Sequence, residues 1–403
     1  MTVPKRIFVL AGEASGDLLG GRLLDAITQQ ADFPVEFTGV GGPTMEEAGL
    51  KSLFPMSELS IMGVFEVIRH LPQILRRLDE VTRYIQETKP DVVVTIDLPD
   101  FSFRLAKKLR GLGIPHVHYT APTVWAWRPG RAKKVSRLVD HLLCILPFEP
   151  PYFAPYSLPC TFVGHMVTEL GIETIPRDKF RKDNDLLTQD TLLCLLPGSR
   201  RGEVERLLPI FKDTVRRLKI MHPSLTVAIP VVEAVKDIIE KELKDLKVPI
   251  IYVKDQQQRY EAMRAADVAL AASGTVNLEL AMAGVPFVIA YKMNPLTAWL
   301  APKVIKVKYM TMTNILLDRP AVPEFFQNDC TAENLFSAVH MFLKDKTLKE
   351  KLVKDAEEAT SMLRPDSGTP SQIAAQAVLM RVKPRTSQLQ SDVQQIGYHC
   401  NSV

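Results

Sequence analysis

The chain has 403 residues, 46% hydrophobic and 24% charged, the composition of a globular protein with room for two full cores. The formal net charge is only +4, so charge alone gives no reason to expect a nucleic-acid partner. Five cysteines, Cys144, Cys160, Cys194, Cys330 and Cys400, show no CxxC spacing and three sit in apolar strand-like runs, so neither a disulfide frame nor a zinc site is expected. No secretory signal is expected ahead of Arg6, and no apolar run is as long as a transmembrane helix. These features suit a cytoplasmic protein that can still touch a membrane from one side.

Short apolar runs alternate with helical periodicity along the chain. The first series reads "RIFVLAG", "VEFTGVGG", "DVVVTIDLP", "PHVHYTAP", "HLLCILPF" and "CTFVGH". The second reads "TLLCLLPGS", "LTVAIPVV", "VPIIYVKD", "DVALAAS" and "PFVIAYK". Near-continuous apolar runs are what parallel strands need when helices cover both faces. The pattern predicts an α/β protein of two Rossmann-like, doubly wound domains facing a cleft. A polar stretch from Ile175 to Asp190 separates the two series. The expected domains are 1–170 and 171–383, with the last helices free to cross back to the first domain. Residues 384–403 form a polar tail.

Four loops follow strands and carry chemistry. In "AGEASGD", Gly12 and Gly16 permit a close backbone approach, and a helix N-terminus attracts anions. Glu13 and Asp17 repel phosphate, however, so Gly12, Glu13, Ser15 and Gly16 better suit the reacting sugar or an acceptor. The plain alternative is a simple turn with Asp17 capping the helix. In "TIDLPDF", Asp97 leaves the carboxyl end of a strand, where a base would face the cleft, or else it caps the next helix; Asp100 is a second candidate cap. The DxxD spacing does not match a divalent-metal motif, so no metal or other cofactor is expected. In "LLPGSRRGEVERLLP", Ser199 offers donors, and Arg200 and Arg201 carry charge suited to a pyrophosphate. In "AASGTVNLELAMAGVPFVIAYK", Ser273, Gly274 and Thr275 open a helix that can hold a diphosphate, and Glu279 suits a ribose diol. The positive charge lies in the second domain and the carboxylates in the first, so the nucleotide is expected in the second. His116, His118 and His165 lie at strand ends, where hydrogen-bonded core or loop roles fit better than metal ligation.

With these loops in view, the chain resembles the lipid-A-disaccharide synthases, glycosyltransferase family 19. The shared stretches are "AGEASGD", "GVGGPTM", "IMGVFEV", "IDLPDF", "HYTAPTVWAWRPGR", "LPFE", "VGH", "LPGSRRGEV", "SGTVNLELAMAGVPFVIAYK" and "TNILL", in order from Ala11 to Leu317. "VGHMV" departs from the usual proline-containing continuation. The resemblance implies a GT-B fold and transfer of 2,3-diacylglucosamine from UDP-2,3-diacylglucosamine to 2,3-diacylglucosamine 1-phosphate (lipid X). It implies an inverting reaction that gives a β-1,6-linked disaccharide 1-phosphate and UDP. Asp97 would then be the base for the acceptor hydroxyl, with Ser15 at the reacting centre and Arg200 on the leaving diphosphate. Ser199, Ser273, Gly274, Thr275, Glu279 and Asn314 would bind UDP. A UDP-N-acetylglucosamine 2-epimerase would share the fold but need no lipid surface, and the apolar stretch from Ile61 to Ile85 speaks against it; a non-catalytic module of the same fold would bind nucleotide or lipid without turnover, and Asp97, Arg200 and Glu279 speak against that.

Diacylated substrates need an apolar entrance. Leu71, Ile74, Leu75, Leu78, Val81 and Ile85 fall on one helical face, with Arg76 and Arg83 opposite and Arg69 and Arg77 nearer its edges. Just before it, Ile61, Met62, Val64, Phe65, Val67 and Ile68 form a denser apolar patch. This region is the candidate contact with the cytoplasmic face of the inner membrane, the alternative being a core-facing helix. "TVWAWRPGRAKK" is a second candidate, with indoles beside cations. The C-terminal helices offer a route to a homodimer.

Overall fold

The computed structural model describes residues 3–59, 64–126, 130–294 and 308–382; for 64–69 only the backbone is described. The chain divides into two compact units, one drawn from 1–124, 129–166 and 365–403, the other from 125–128 and 167–364. The chain enters the second unit briefly at 125–128 and again after 166. The segment after 364 belongs with the first unit rather than the second.

In the first unit the order is β1 (Lys5–Leu10), α1 (Ala14–Gln30), β2 (Val35–Val40), α2 (Pro43–Glu47), β3 (Lys51–Ser52), α3 (Val64–Thr88), β4 (Val92–Ile96), α4 (Pro99–Leu109), β5 (His116–Tyr119), α5 (Arg131–Val135), β6 (His141–Cys144) and β7 (Cys160–Phe162). The strands pair in parallel in the order β3-β2-β1-β4-β5-β6-β7. Alternation along β1 sends Ile7 and Val9 into the cluster that holds Leu23, Leu24 and Ile27 of α1. It sends Phe8 and Leu10 to the opposite face, against Leu78, Val81 and Ile85 of α3 and Phe101 and Leu105 of α4. Both faces are covered, which is why the strand runs carry so few polar residues.

The second unit contains α6 (Lys179–Asp183), β8 (Leu192–Leu196), α7 (Arg201–Met221), β9 (Thr226–Pro230), α8 (Lys236–Leu243), β10 (Ile250–Val253), α9 (Gln256–Ala265), β11 (Val268–Ala272), α10 (Val276–Ala283), β12 (Phe287–Tyr291), α11 (Met312–Leu317), β13 (Glu324–Phe326), α12 (Ala332–Lys344) and α13 (Lys346–Ser361). Its strands are also parallel, in the order β10-β9-β8-β11-β12-β13. Every residue of β8 and of β11 is buried. Gly284, with φ at +59°, ends α10 in the left-handed conformation that glycine adopts without strain.

The last described helix, α14 (Pro370–Leu379), starts from a capping box between Thr369 and Gln372, with Pro370 in its first turn. It packs on α1: Ala374, Ala375 and Val378 join the first unit's core. The Gln30 side-chain amide donates to the Gln372 carbonyl at 3.1 Å, and Arg381 meets the His141 ring. The apolar face of α14 is thereby covered within its own chain.

Candidate active site

In each sheet the chain reverses its winding direction once, between β1 and β4 in the first unit and between β8 and β11 in the second. Helices leaving neighbouring strands on opposite sides open a crevice at the carboxyl ends there, the usual place for a ligand in such folds. The loops after β1, β4, β8 and β11 are "AGEASGD", "DLPDF", "PGSRR" and "SGT". The four loops singled out by residue type therefore flank the two switch points, two in each unit.

In the first unit, Asp97 and Leu98 are consecutive left-handed residues, at φ +52° and +47°. Such conformations are uncommon for residues with a Cβ and need support from their surroundings. The support is local. The Asp97 amide donates to the Tyr119 carbonyl at 2.5 Å, and the Ser102 hydroxyl donates to the Asp97 carbonyl at 2.9 Å. Burial pushes the Asp97 carboxyl above its ordinary range, while a hydrogen bond from the Leu98 amide pulls it back. Asp97 is not a helix cap: the cap position of α4 is Leu98, with no side-chain cap bond. Nor does Asp100 cap; it is exposed and pairs with Arg131 at 3.3 Å.

Across the switch point, Gly12 is buried, Glu13 is half-buried, and Ala14 and Ser15 are exposed at the start of α1. Asp17 has a different task from its neighbours. Its buried carboxylate accepts the amides of Gly42 at 2.8 Å, Thr44 at 3.0 Å and Met45 at 3.1 Å. It therefore caps α2 rather than its own helix, satisfying amides that helix geometry leaves without partners. This resolves the charge puzzle of the first loop in part, since one of its two carboxylates faces inward.

Behind Asp97, Thr95 Oγ1 bonds both His116 Nε2 at 2.9 Å and His118 Nδ1 at 2.8 Å. Burial lowers the His116 pKa to about 4, and burial, with nearby positive charge, lowers that of His118 to about 3, so both rings are neutral near pH 7. His118 and Tyr119 are buried, with exposures of 1% and 0%, and brace the sheet.

In the second unit, Ser199 and Arg200 are exposed ahead of α7. Gly198 has φ +113°, and a Cβ there would crowd the Glu203 carboxyl carbon at 2.7 Å. The Ser199 amide donates to the Glu203 carboxylate. Burial nevertheless raises the Glu203 pKa, against the opposing pull of the Arg200 charge. Arg201 is exposed and pairs with Glu205 at 2.8 Å, and Arg200 is exposed beside it. After β11, Gly274 and Thr275 are exposed, and the Ser273 amide donates to the Ala290 carbonyl at 3.1 Å. The buried Asn277 side chain donates to the Gly274 carbonyl and so fixes this turn from beneath, a role no sequence signal marked. Glu279 is ion-paired with Arg259 of α9, a residue the sequence reading did not single out.

Asn314 lies in α11 and is 1% exposed. Its amide donates to the Val322 carbonyl at 2.8 Å and to Glu324 Oε1 at 2.7 Å, and it accepts the amides of Ala321 and Val322, each at 2.8 Å. All its hydrogen-bonding positions are taken. The side chain, for which a nucleotide contact is expected, holds the 311–324 segment from inside.

Of the apolar entrance, Met62 lies outside the described residues, and the side chains of Val64, Phe65, Val67 and Ile68 are likewise undescribed. Trp127 and Arg128 of the second candidate also lie outside them. The described part of α3 divides. Leu78, Val81 and Ile85 are buried, whereas Leu71 and Leu75 are 38% and 40% exposed. Arg77 is held by Glu58 at 2.6 Å and Glu80 at 2.6 Å and lies over the Phe54 ring, so it belongs to the fold. Arg76 and Arg83 remain exposed. A cavity of about 830 Å³ in the second unit is lined by Arg177, Asp190, Asp267, Lys344 and Lys349 among others. Asp190 and Asp267 precede β8 and β11, so this cavity sits at the amino ends of the strands, away from the four loops.

The sequence profile of the lipid-A-disaccharide synthetase family matches residues 7–378. A lipid-A-disaccharide synthase of Rhodospirillum centenum is 46% identical over 384 residues, covering 95% of this chain and 96% of its own. That of Ruegeria pomeroyi is 43% identical over 388 residues, covering 94% and 95%. Among solved structures, the glycotransferase of kitacinnamycin superposes with a TM-score of 0.63 at 15% identity, covering 95% of this chain and 100% of its own. MurG of Acinetobacter baumannii gives 0.56 at 17%, covering 94% and 100%, and S. aureus MnaA, solved with UDP, gives 0.62 at 12%, covering 93% and 95%. These likenesses establish the GT-B fold class, two Rossmann-like units. With switch-point loops as described and close relatives matched along nearly their whole length, the chain belongs to the lipid-A-disaccharide synthase family, the glycosyltransferases of lipid A biosynthesis.

Proposed function

We propose that the enzyme transfers 2,3-diacylglucosamine from UDP-2,3-diacylglucosamine to the 6-hydroxyl of lipid X, with inversion. The observation that carries the reading is the division of charge between the two switch points. The first unit offers Asp97, a carboxylate with a raised pKa on a strained strand end. The second offers Arg200 and the exposed Gly274–Thr275 turn, with Glu279 one helical turn further on. In this mechanism Asp97 accepts the acceptor's hydroxyl proton as the oxygen bonds to the anomeric carbon. The bond from that carbon to the diphosphate oxygen breaks, and UDP leaves. One displacement converts an α-linked donor to a β-linked product. A raised pKa suits a base, since the carboxylate's proton affinity grows with it. Arg200 offsets charge developing on the departing diphosphate. Ser15 stands at the reacting centre.

The two acylated substrates also require a lipid surface. No helix among the described residues is long and apolar enough to cross a membrane. Exposed Leu71 and Leu75, with Arg76 beside them, support peripheral contact with the cytoplasmic face of the inner membrane. The test of the reaction is UDP release in detergent micelles supplied with UDP-2,3-diacylglucosamine, with and without lipid X. Release that depends on lipid X, together with a disaccharide 1-phosphate by mass spectrometry, is the expected result. No release from folded protein that binds UDP would overturn the assignment.

A further inference from the structure

Arg259 and Glu279 each end the first turn of neighbouring helices, α9 after β10 and α10 after β11. Their side chains are 30% and 14% exposed, and Arg259 Nη2 meets Glu279 Oε2. Among the described residues no hydrogen bond occupies Glu279 Oε1, and the buried Arg259 Nε has no partner. Each charge depends on the other. Burial weakens the protonated state of the guanidinium, and the Glu279 carboxylate is the acidic group that meets it directly. A mostly buried carboxylate without a cation would in turn be driven toward the neutral acid. The two forms differ chemically: the ionised group only accepts hydrogen bonds, whereas the acid presents a donor on one oxygen. A vicinal diol that donates two hydroxyl protons is matched by the ionised form.

We infer that Arg259 is a positioning residue that holds Glu279 ionised with Oε1 turned to the donor's ribose hydroxyls, and thereby makes the site selective for ribo- over 2′-deoxyribonucleotides. This rests on the proposed assignment of Glu279 to the nucleotide. A hydrogen bond to a charged group contributes about 1.5–3 kcal/mol, roughly 10- to 150-fold in affinity. Calorimetric titration of the full-length protein with UDP and with 2′-deoxy-UDP is the test. The wild type should prefer UDP by about tenfold or more, and Glu279→Gln should erase the preference. Arg259→Met should cut the ratio to about threefold or less, with Arg259→Lys recovering part of it. Arg259→Gln, polar and of similar reach, reads the same ratio should Arg259→Met fail to fold. If Arg259→Met or Arg259→Gln weakens both nucleotides equally and keeps the preference, the inference is overturned while the Glu279 assignment stands. Absence of any preference in the wild type would instead overturn the Glu279 assignment itself.

Discussion

Gly12 and Leu98 share one space. A Cβ on Gly12 would collide with the Leu98 side chain, lying 3.2 Å from its Cγ and 3.3 Å from its Cδ1. Leu98 is the second of the two left-handed residues that turn the chain after Asp97, so the first loop leaves room for the second. Gly12→Ala should move the Leu98 side chain and misplace the Asp97 carboxylate. A misplacement of about 1 Å costs on the order of 10²-fold in rate, so kcat should fall by up to that factor, with little change in UDP affinity. Trimming the obstacle in the Gly12→Ala/Leu98→Ala double variant should restore part of kcat. Steady-state kinetics of the three variants reads this coupling directly.

Asp97→Asn should lower kcat by about 10²–10⁴ while UDP affinity stays near wild type. The substitution also removes a charge held partly out of water, so its urea midpoint at pH 7 should equal or exceed that of the wild type. The pH profile carries the sign. Because burial raises the Asp97 pKa, the acidic limb of kcat/KM should lie above the pH at which an ordinary aspartate titrates, with activity falling as pH drops through it. Turnover at the wild-type rate in Asp97→Asn would remove Asp97 as the base.

Asp17 tests the opposite kind of role. Asp17→Ala leaves the amides of Gly42, Thr44 and Met45 without their carboxylate, and should destabilise the fold by about 2–4 kcal/mol in urea titration. Asp17→Asn should cost less, because one oxygen can still accept the Gly42 and Met45 amides that Oδ1 now holds.

The buried histidine pair should show in the pH dependence of stability. His116 and His118 have folded pKa values of about 4 and about 3, below the ordinary 6.5. The unfolded chain therefore takes up protons first as pH falls. The stability that neutral burial supports is complete above pH 6.5 and is lost progressively toward pH 4 and 3. A His118→Gln variant lacks one of these titrations. Its destabilisation relative to wild type should be largest at pH 7 and should shrink below pH 6.5 by up to about 1.4 kcal/mol per pH unit. Denaturant unfolding at pH 7, 6 and 5 gives the comparison.

What could be read from residue order alone was local. The β4 and β8 runs, apolar throughout, announce strands covered on both faces, and a glycine or acidic residue directly after such a run marks a loop at the carboxyl end of a sheet. Asp97 is legible that way, and Gly12, Gly198 and Gly274 lie two residues past the ends of their own runs. Relations across long separations were not legible. Asp17 is acidic whether it caps its own helix or meets amides near Met45, and Glu279 looks like a free ribose ligand until Arg259 is seen beside it. Asn314 lies in a motif, but its neighbours Ala321, Val322 and Glu324 decide that its amide points inward. The strands β3 and β13 are too short for a two-residue period to register.

Helix α3 shows the same limit and supplies the final prediction. A single apolar stripe from Leu71 to Ile85 reads equally as core or membrane face, because periodicity identifies a face and not what covers it. The structure divides the stripe: Leu78, Val81 and Ile85 meet the sheet, while Leu71 and Leu75, one turn apart, remain exposed beside Arg76. Leu71→Ser/Leu75→Ser should therefore leave the urea midpoint nearly unchanged, since neither side chain is buried in the fold. The same variant should lose vesicle binding in flotation with anionic lipid, because inserting a leucine side chain contributes about 1.5–3 kcal/mol when it is fully buried. Leu78→Ser should do the reverse, destabilising the protein by several kcal/mol through an unfilled, polar core position. Replacing Val64, Phe65, Val67 and Ile68 with Ser should reduce flotation further. If Leu71→Ser/Leu75→Ser floats as the wild type does, these two leucines are not the membrane contact.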